Sequence, residues 1–137
     1  MIILGIDFGD KRMGLAICDS AETMAVSIGT EQVRGAKDAA KKAARRAVER
    51  GAEKIVVGMP ERADGYKGER CEKTEYFLSF LKENVLIPVE TFDERFTTVE
   101  AHELLYEAGK KGKSHVNSVD ALSAQLILQG YLNQMRK

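Results

Sequence analysis

The sequence predicts an α/β fold in which a mixed five-stranded sheet carries helices on both faces. Three short apolar runs joined by tight turns fill the first 33 residues, as an antiparallel meander does. The apolar period then switches to helical spacing. From there helical and strand-like segments alternate, so later strands return to the sheet through helical crossovers.

Ile2 to Phe8 is apolar and β-branched, and it ends in the turn Gly9-Asp10-Lys11-Arg12. Met13 to Asp19 is its hairpin partner, and Ala25 to Val33, with Val26, Ile28 and Val33, is a third strand. From Ala36 to Arg50 the apolar residues are Ala36, Ala39, Ala40, Ala43, Ala44, Ala47 and Val48, a helical stripe closed by Gly51. Lys54 to Met59 is a short buried-type strand stopped by Pro60, and Pro60 to Gly68 is a loop around Asp64-Gly65. A helix over Glu69 to Asn84 turns Tyr76, Phe77, Phe80 and Leu81 inward. Val89 to Phe92 is the fifth strand, Thr98 to Ala108 a helix ending at Gly109, and Ser118 to Met135 the last helix. The order βββ-αβ-αβ-α-α is the RNase H-like layout.

A chain of 137 residues fits one domain, 1–137, large enough to bury a core. With 44% hydrophobic and 31% charged residues it is neither collagen-like, nor low-complexity, nor a disulfide mini-scaffold. No apolar run approaches the ~20 residues that cross a bilayer. The first residues lack the basic flank and small-residue cleavage site of a signal peptide. Cys18 and Cys71 form no CxxC pair. A cytoplasmic protein with no membrane partner, a monomer or weak homodimer, is expected. Because 21 basic residues balance 21 acidic ones, nucleic-acid binding requires local clustering of charge.

Gly5-Ile6-Asp7-Phe8-Gly9 sets a carboxylate near the end of a buried strand. Such an acid is compensated either by hydrogen bonds or by a divalent cation. The glycines of Gly9-Asp10-Lys11-Arg12-Met13-Gly14 mimic a phosphate loop, but Leu15-Ala16 stand where Lys-Ser/Thr would grip phosphate, and GxGxxG is absent. Asp93 and Glu94 lie where a strand meets a helix that Thr97 and Glu100 would cap. Asp120 lies in the first turn of the last helix, where an acid also suits the helix dipole. Capping accounts for Thr97 and Glu100 but not for Asp93 and Glu94. Acids on separate elements are the pattern of a two-metal phosphodiester site, whose hard oxygen ligands converge on ions ~3.5–4 Å apart.

Gly5-x-Asp7-x-Gly9-x-Lys11-Arg12-x-Gly14-x-Ala16 resembles the opening motif of the YqgF/RuvX family. Val57-Gly58-Met59-Pro60 with Asp64-Gly65 resembles its second motif. Asp93-Glu94-Arg95-Phe96-Thr97-Thr98 is similar to its third, and Val119-Asp120-Ala121-Leu122-Ser123-Ala124 with Gln125 to Leu128 to its last. The matches run in order along almost the whole chain. The resemblance implies an RNase H-like hydrolase, a metal-dependent endonuclease using Mg2+ or Mn2+. It implies a role in 5′-end maturation of precursor 16S ribosomal RNA or, alternatively, in cleavage of branched DNA as by Holliday junction resolvases. It further implies Asp7, Glu94 and Asp120 as metal-binding catalytic acids, with Asp93 a neighbouring candidate. The charged loop Pro60-Glu61-Arg62-Ala63-Asp64 departs from the family pattern and makes Glu61 a spare candidate ligand. The fourth strand, Lys54-Ile55-Val56-Val57-Gly58-Met59, lacks the acid that RNase H-like nucleases carry there, so the second acid must come from Asp93 or Glu94, one strand further out.

Lys11, Arg12 and Arg95 adjoin the acid motifs and are the phosphate-binding candidates, with the turn Lys110-Lys111-Gly112-Lys113 beside them. Lys37, Lys41, Lys42, Arg45, Arg46 and Arg50 are expected to form a solvated face of the first helix. Two other classes compete. One is a non-catalytic RNA-binding assembly factor on the same fold. The other is a nucleotide-binding domain of the sugar-kinase type, which needs two such domains where 137 residues supply one.

Overall fold

Strands β1 (Ile3–Asp7), β2 (Arg12–Cys18) and β3 (Ala25–Gln32) run antiparallel in sequence, and β4 (Lys54–Met59) and β5 (Val89–Asp93) join β1 in parallel. The sheet order is β3-β2-β1-β4-β5. Among the described residues three helices accompany it, α1 (Ala36–Arg50), α2 (Glu69–Asn84) and α3 (Val119–Met135). This computed structural model describes residues 1–60, 68–94 and 119–135, Val119 and Asp120 as backbone only. The expected helix over Thr98 to Ala108, most of the loop after Pro60, and the turn at Lys110 to Lys113 lie outside the described residues.

Side chains on successive strand residues point to opposite faces, and that alternation sorts the core into two. Leu4, Ile6, Met13, Leu15, Ile55 and Val57 pack against the alanine stripe of α1 and against Phe77, Leu78 and Leu81 of α2. Ile3, Ala16, Cys18, Val56 and Phe92 pack against Ala124, Ile127, Leu128 and Leu132 of α3. Burying one large side chain such as Phe77 or Ile127 contributes roughly 1.5–3 kcal/mol, so both faces are held firmly. The expected layout of helices on both faces is what forms.

The expected limits of β1, β2, β3 and β5 shift by one residue, and α1, β4 and α2 begin and end where the sequence places them. One detail of α2 is corrected. Tyr76 is 61% exposed, and the buried stripe is Cys71, Thr74, Phe77, Leu78 and Leu81. Tyr76 instead meets Phe80 edge-on at 4.7 Å between ring centroids.

The close seating of α3 depends on a missing side chain. A Cβ on Gly5 would lie 2.8 Å from Leu128 Cβ and 3.4 Å from the Ala124 carbonyl oxygen, so only glycine lets α3 rest on β1. Ala124 and Leu128 thus sit over Gly5, while Tyr131, further along α3, reaches Lys54 and Glu90 near the starts of β4 and β5. The start of α3, with Asp120, therefore lies toward the end of β1 that carries Asp7.

Candidate active site

The parallel strands β1, β4 and β5 all finish on one side of the sheet, at Asp7, Met59 and Asp93. Ligands of open α/β sheets bind outside such carboxyl ends. Asp7 is 9% exposed and alternates with Ile3 and Gly5, which puts it on the α3 face. Arg70, in the first turn of α2, brings Nη2 to 3.7 Å from Asp7 Oδ1. That turn is pinned by the Thr74 hydroxyl, which donates to the Arg70 carbonyl oxygen at 2.8 Å.

Glu94 reaches the same region from β5, across β4. Ile6 is paired with Val57 and Gly58 with Phe92, so Gly58 is the residue of β4 that separates the ends of β1 and β5. Gly58 has no side chain to fill the space above it. Glu94 Cγ lies 3.3 Å from where its Cβ would stand, and Ile127 Cδ1 lies 2.3 Å from that point. Glu94 thus leans back over β4, on the α3 face. Burial, the largest influence, pushes its carboxyl above the ordinary glutamate range; the Arg70 charge opposes this and the Asp93 charge adds to it. Arg70 is therefore a shared neighbour of Asp7 and Glu94. Phe92 faces α3 on β5, so Asp93 belongs by alternation to the opposite face.

Asp7 Oδ1 and Glu94 Oε2 are both shielded from solvent. Carboxylate oxygens are the hard donor type that Mg2+ and Mn2+ select, so the chemistry of these two residues fits a divalent ion. Among the described residues no group of three or more His, Cys, Asp or Glu side chains assembles. The third expected acid, Asp120, is described only as backbone, and Arg95 and Glu61 lie outside the described residues.

Two cavities flank the strand ends. One, of about 270 Å3, is lined by Phe8, Gly9, Asp10, Glu69, Arg70 and Lys73. It is charge-balanced: Lys73 Nζ lies 2.7 Å from Asp10 and 3.3 Å from Glu69, and these contacts raise its pKa. Lys11 and Arg12 line the other, together with Gln32, Val33, Arg34 and Lys42. Lys41, Arg45 and Arg50 of α1 are exposed, as a solvated face requires, whereas other basic side chains of this helix have partners. Arg46 pairs with Glu31 at 3.3 Å and Lys37 sits over the Phe80 ring at 5.3 Å.

Sequence reasoning missed Arg70. Its signal was positional, since a helix that follows a parallel strand begins near that strand's carboxyl end, and Arg70 is two residues past Gly68 at such a start. A polar knot at the other end of the sheet is separate from the site. Lys54 Nζ donates to Tyr131 Oη at 2.9 Å and pairs with Glu90 at 2.8 Å, and Tyr131 Oη donates to Glu90 Oε1 at 3.0 Å.

Comparison with known proteins adds the following. The family model described as "RuvX: Holliday junction resolvase" matches residues 1–134. A protein of Halothermothrix orenii named "Putative pre-16S rRNA nuclease" is 39% identical, the match covering 100% of this chain and 98% of that one. A protein of Ruminiclostridium cellulolyticum with the same name is 41% identical, covering 98% and 96%. Among solved structures, Thermus thermophilus RuvC in complex with a Holliday junction substrate superposes with a TM-score of 0.67 at 17% identity, over 99% of this chain and 95% of that one. That likeness shows the RNase H-like resolvase fold.

Proposed function

Because the chain belongs to the RuvX family, we propose that it is a nuclease that hydrolyses phosphodiester bonds with the help of divalent metal ions. Residues 1–137 then act as one domain, and the favoured substrate is the 5′ extension of precursor 16S ribosomal RNA in the cytoplasm. The observation that carries the metal-assisted reading is the approach of Glu94 over Gly58 toward the strand end that holds Asp7, with both carboxylates buried beside Arg70.

Asp7 and Glu94 would hold the ion, with Asp120 from the first turn of α3. Placement on the α3 face favours Glu94 over Asp93. A bound Mg2+ or Mn2+ supplies a water acidic enough to attack at neutral pH and neutralises charge developing on the leaving oxygen. Arg70 steadies the two carboxylates by charge and, being 64% exposed at the side chain, also offers donors to an incoming phosphate. Lys11, Arg12 and Arg95 hold backbone phosphates, which positions substrate without reading its sequence.

The test is to incubate precursor 16S RNA with the purified protein and Mg2+ or Mn2+ and to map the 5′ ends. Defined new ends with wild type that vanish with Asp7→Asn are expected. RNA binding without cleavage by wild type would leave an assembly factor instead. A four-way DNA junction tested in parallel addresses the second reading, which the resolvase description of the family favours.

A further inference from the structure

The second cavity at the strand ends, of about 610 Å3, has a lining of Lys11, Arg12, Gln32, Val33, Arg34 and Lys42. Four of these six side chains are cationic and none is acidic, in a chain whose charges cancel overall. The cavity beside Asp7 carries two acids and two cations, so the contrast is local and specific. Its walls are fixed by backbone. Val33 N–H donates to the Lys11 carbonyl at 2.9 Å and Gly35 N–H to the Asp10 carbonyl at 3.3 Å, which ties the end of β3 to the β1–β2 turn. Helix α1 is fastened to the same place, because Lys42 Nζ donates to the Gln32 carbonyl at 2.7 Å and pairs with Asp38 at 3.2 Å. Asp38 also accepts the Arg34 backbone N–H at 2.8 Å.

We infer that this cavity is a second phosphate subsite, which takes the sugar–phosphate backbone of the nucleic acid at a distance from the bond being cut. The inference rests on the nuclease reading and adds Arg34 and Lys42 to the residues that hold substrate. Three features support it. Lys42, already held on the Gln32 carbonyl and Asp38, loses less freedom on binding than an unsupported surface cation. Among the described residues no aromatic ring lines the cavity, so it offers phosphate contacts rather than a platform for stacked bases. Arg12 begins β2 two residues before Gly14, the partner of Asp7, which puts the cavity roughly 7 Å of strand away from the acids. One backbone can therefore engage both.

The test uses the Asp7→Asn protein as a non-cleaving parent and measures binding over a series of KCl concentrations. The probes are a fluorescent fragment spanning the 5′ boundary of precursor 16S RNA and a fluorescent four-way DNA junction. Each phosphate contact contributes roughly 0.7–0.9 to the slope of log K against log salt. Arg34→Gln should reduce the slope by about one, and Arg34→Gln with Lys42→Gln by up to about two, with at least a tenfold loss of affinity at low salt. Arg45→Gln makes the same charge change on an exposed part of α1 outside the cavity and should leave the slope in place. In the cleaving protein the double variant should raise KM and keep kcat. Melting temperatures identify a variant that fails to fold. If the double variant does so, Arg34→Gln carries the test alone. A slope unchanged in Arg34→Gln, or reduced equally by Arg45→Gln, overturns the subsite while wild-type cleavage stands. No cleavage by wild type together with no binding by the parent overturns the nuclease reading as well. The probe whose slope falls identifies which source of phosphate the cavity serves.

Discussion

Replacing Gly58 by alanine should lower both stability and cleavage, by routes that can be separated. The added methyl would stand 2.3 Å from Ile127 Cδ1, 2.9 Å from Ile127 Cγ1 and 3.3 Å from Glu94 Cγ. Ile127 is 2% exposed, so its side chain yields only by repacking against α3's neighbours. Overpacking of this kind costs about 1–3 kcal/mol, and removing a glycine from a strand returns roughly 0.5–1 kcal/mol. A net loss of up to about 2.5 kcal/mol is expected, measured by urea denaturation. Glu94 must also give way by a few tenths of an ångström. Misplacement of a reacting group by 1 Å costs about a hundredfold, so a shift of a few tenths of an ångström is expected to lower cleavage about threefold to sixfold. The two effects separate in Gly58→Ala/Ile127→Val, which removes the worst contact. Ile127→Val alone costs about 0.5–1.5 kcal/mol, and in the double variant the two costs should cancel in part, with a coupling of about 0.5–3 kcal/mol. Stability returns, whereas cleavage and the Mn2+-induced rise in melting temperature stay low. A double variant with wild-type cleavage and wild-type metal response would refute the idea that Glu94 reaches the site through the space above Gly58.

Three further outcomes are expected. Metal-free Asp7→Asn and Glu94→Gln should melt no lower than wild type and gain less from added Mg2+ or Mn2+, because each substitution removes repulsion and a ligand together. Asp93→Asn, on the opposite face, should keep the full gain in the same thermal titration, and a loss there would exchange the roles of the two acids. Glu94 also sets a pH dependence: with its folded-state pKa raised by burial, the folded protein binds this proton more tightly than the unfolded chain. Stability from that proton is fully present below the unfolded glutamate value and is lost as pH climbs through the raised one. Urea curves of the metal-free protein should show this decline, and Glu94→Gln should flatten it. Tyr131→Phe should cost about 2 kcal/mol through two lost hydrogen bonds of about 1 kcal/mol each and leave cleavage unchanged. Lys54, whose pKa is pushed up to about 12, keeps its pairing with Glu90 at the end of the sheet away from Asp7.

What was legible in the sequence is what local pattern controls. The alanine stripe of α1 repeats at helical spacing over 15 residues, and the strands alternate or run apolar between turn residues, so type and extent follow from neighbours a few positions apart. The approximate inward face of α2 was legible too, but not that Tyr76 would lie outside it, because Thr74 and Cys71 are small enough to be buried without an apolar signature. Arg70 could not be recognised from its own surroundings in sequence, since its importance comes from Asp7, 63 positions earlier, and from Glu94 across two strands. The preference proposed for Glu94 over Asp93 rests on a similar long-range fact. Adjacent residues at a strand end point to opposite faces, and which face holds the site is decided by where α3 packs. The position that makes the relocation of an acid to β5 workable is Gly58, and its contribution is an absent side chain. With Glu94 as the proposed second acid, its side chain occupies the space that a Cβ on Gly58 would crowd, so the two positions are expected to act as a pair. A side chain larger than hydrogen at 58 is then expected to impair the site unless an acid on β4 replaces Glu94.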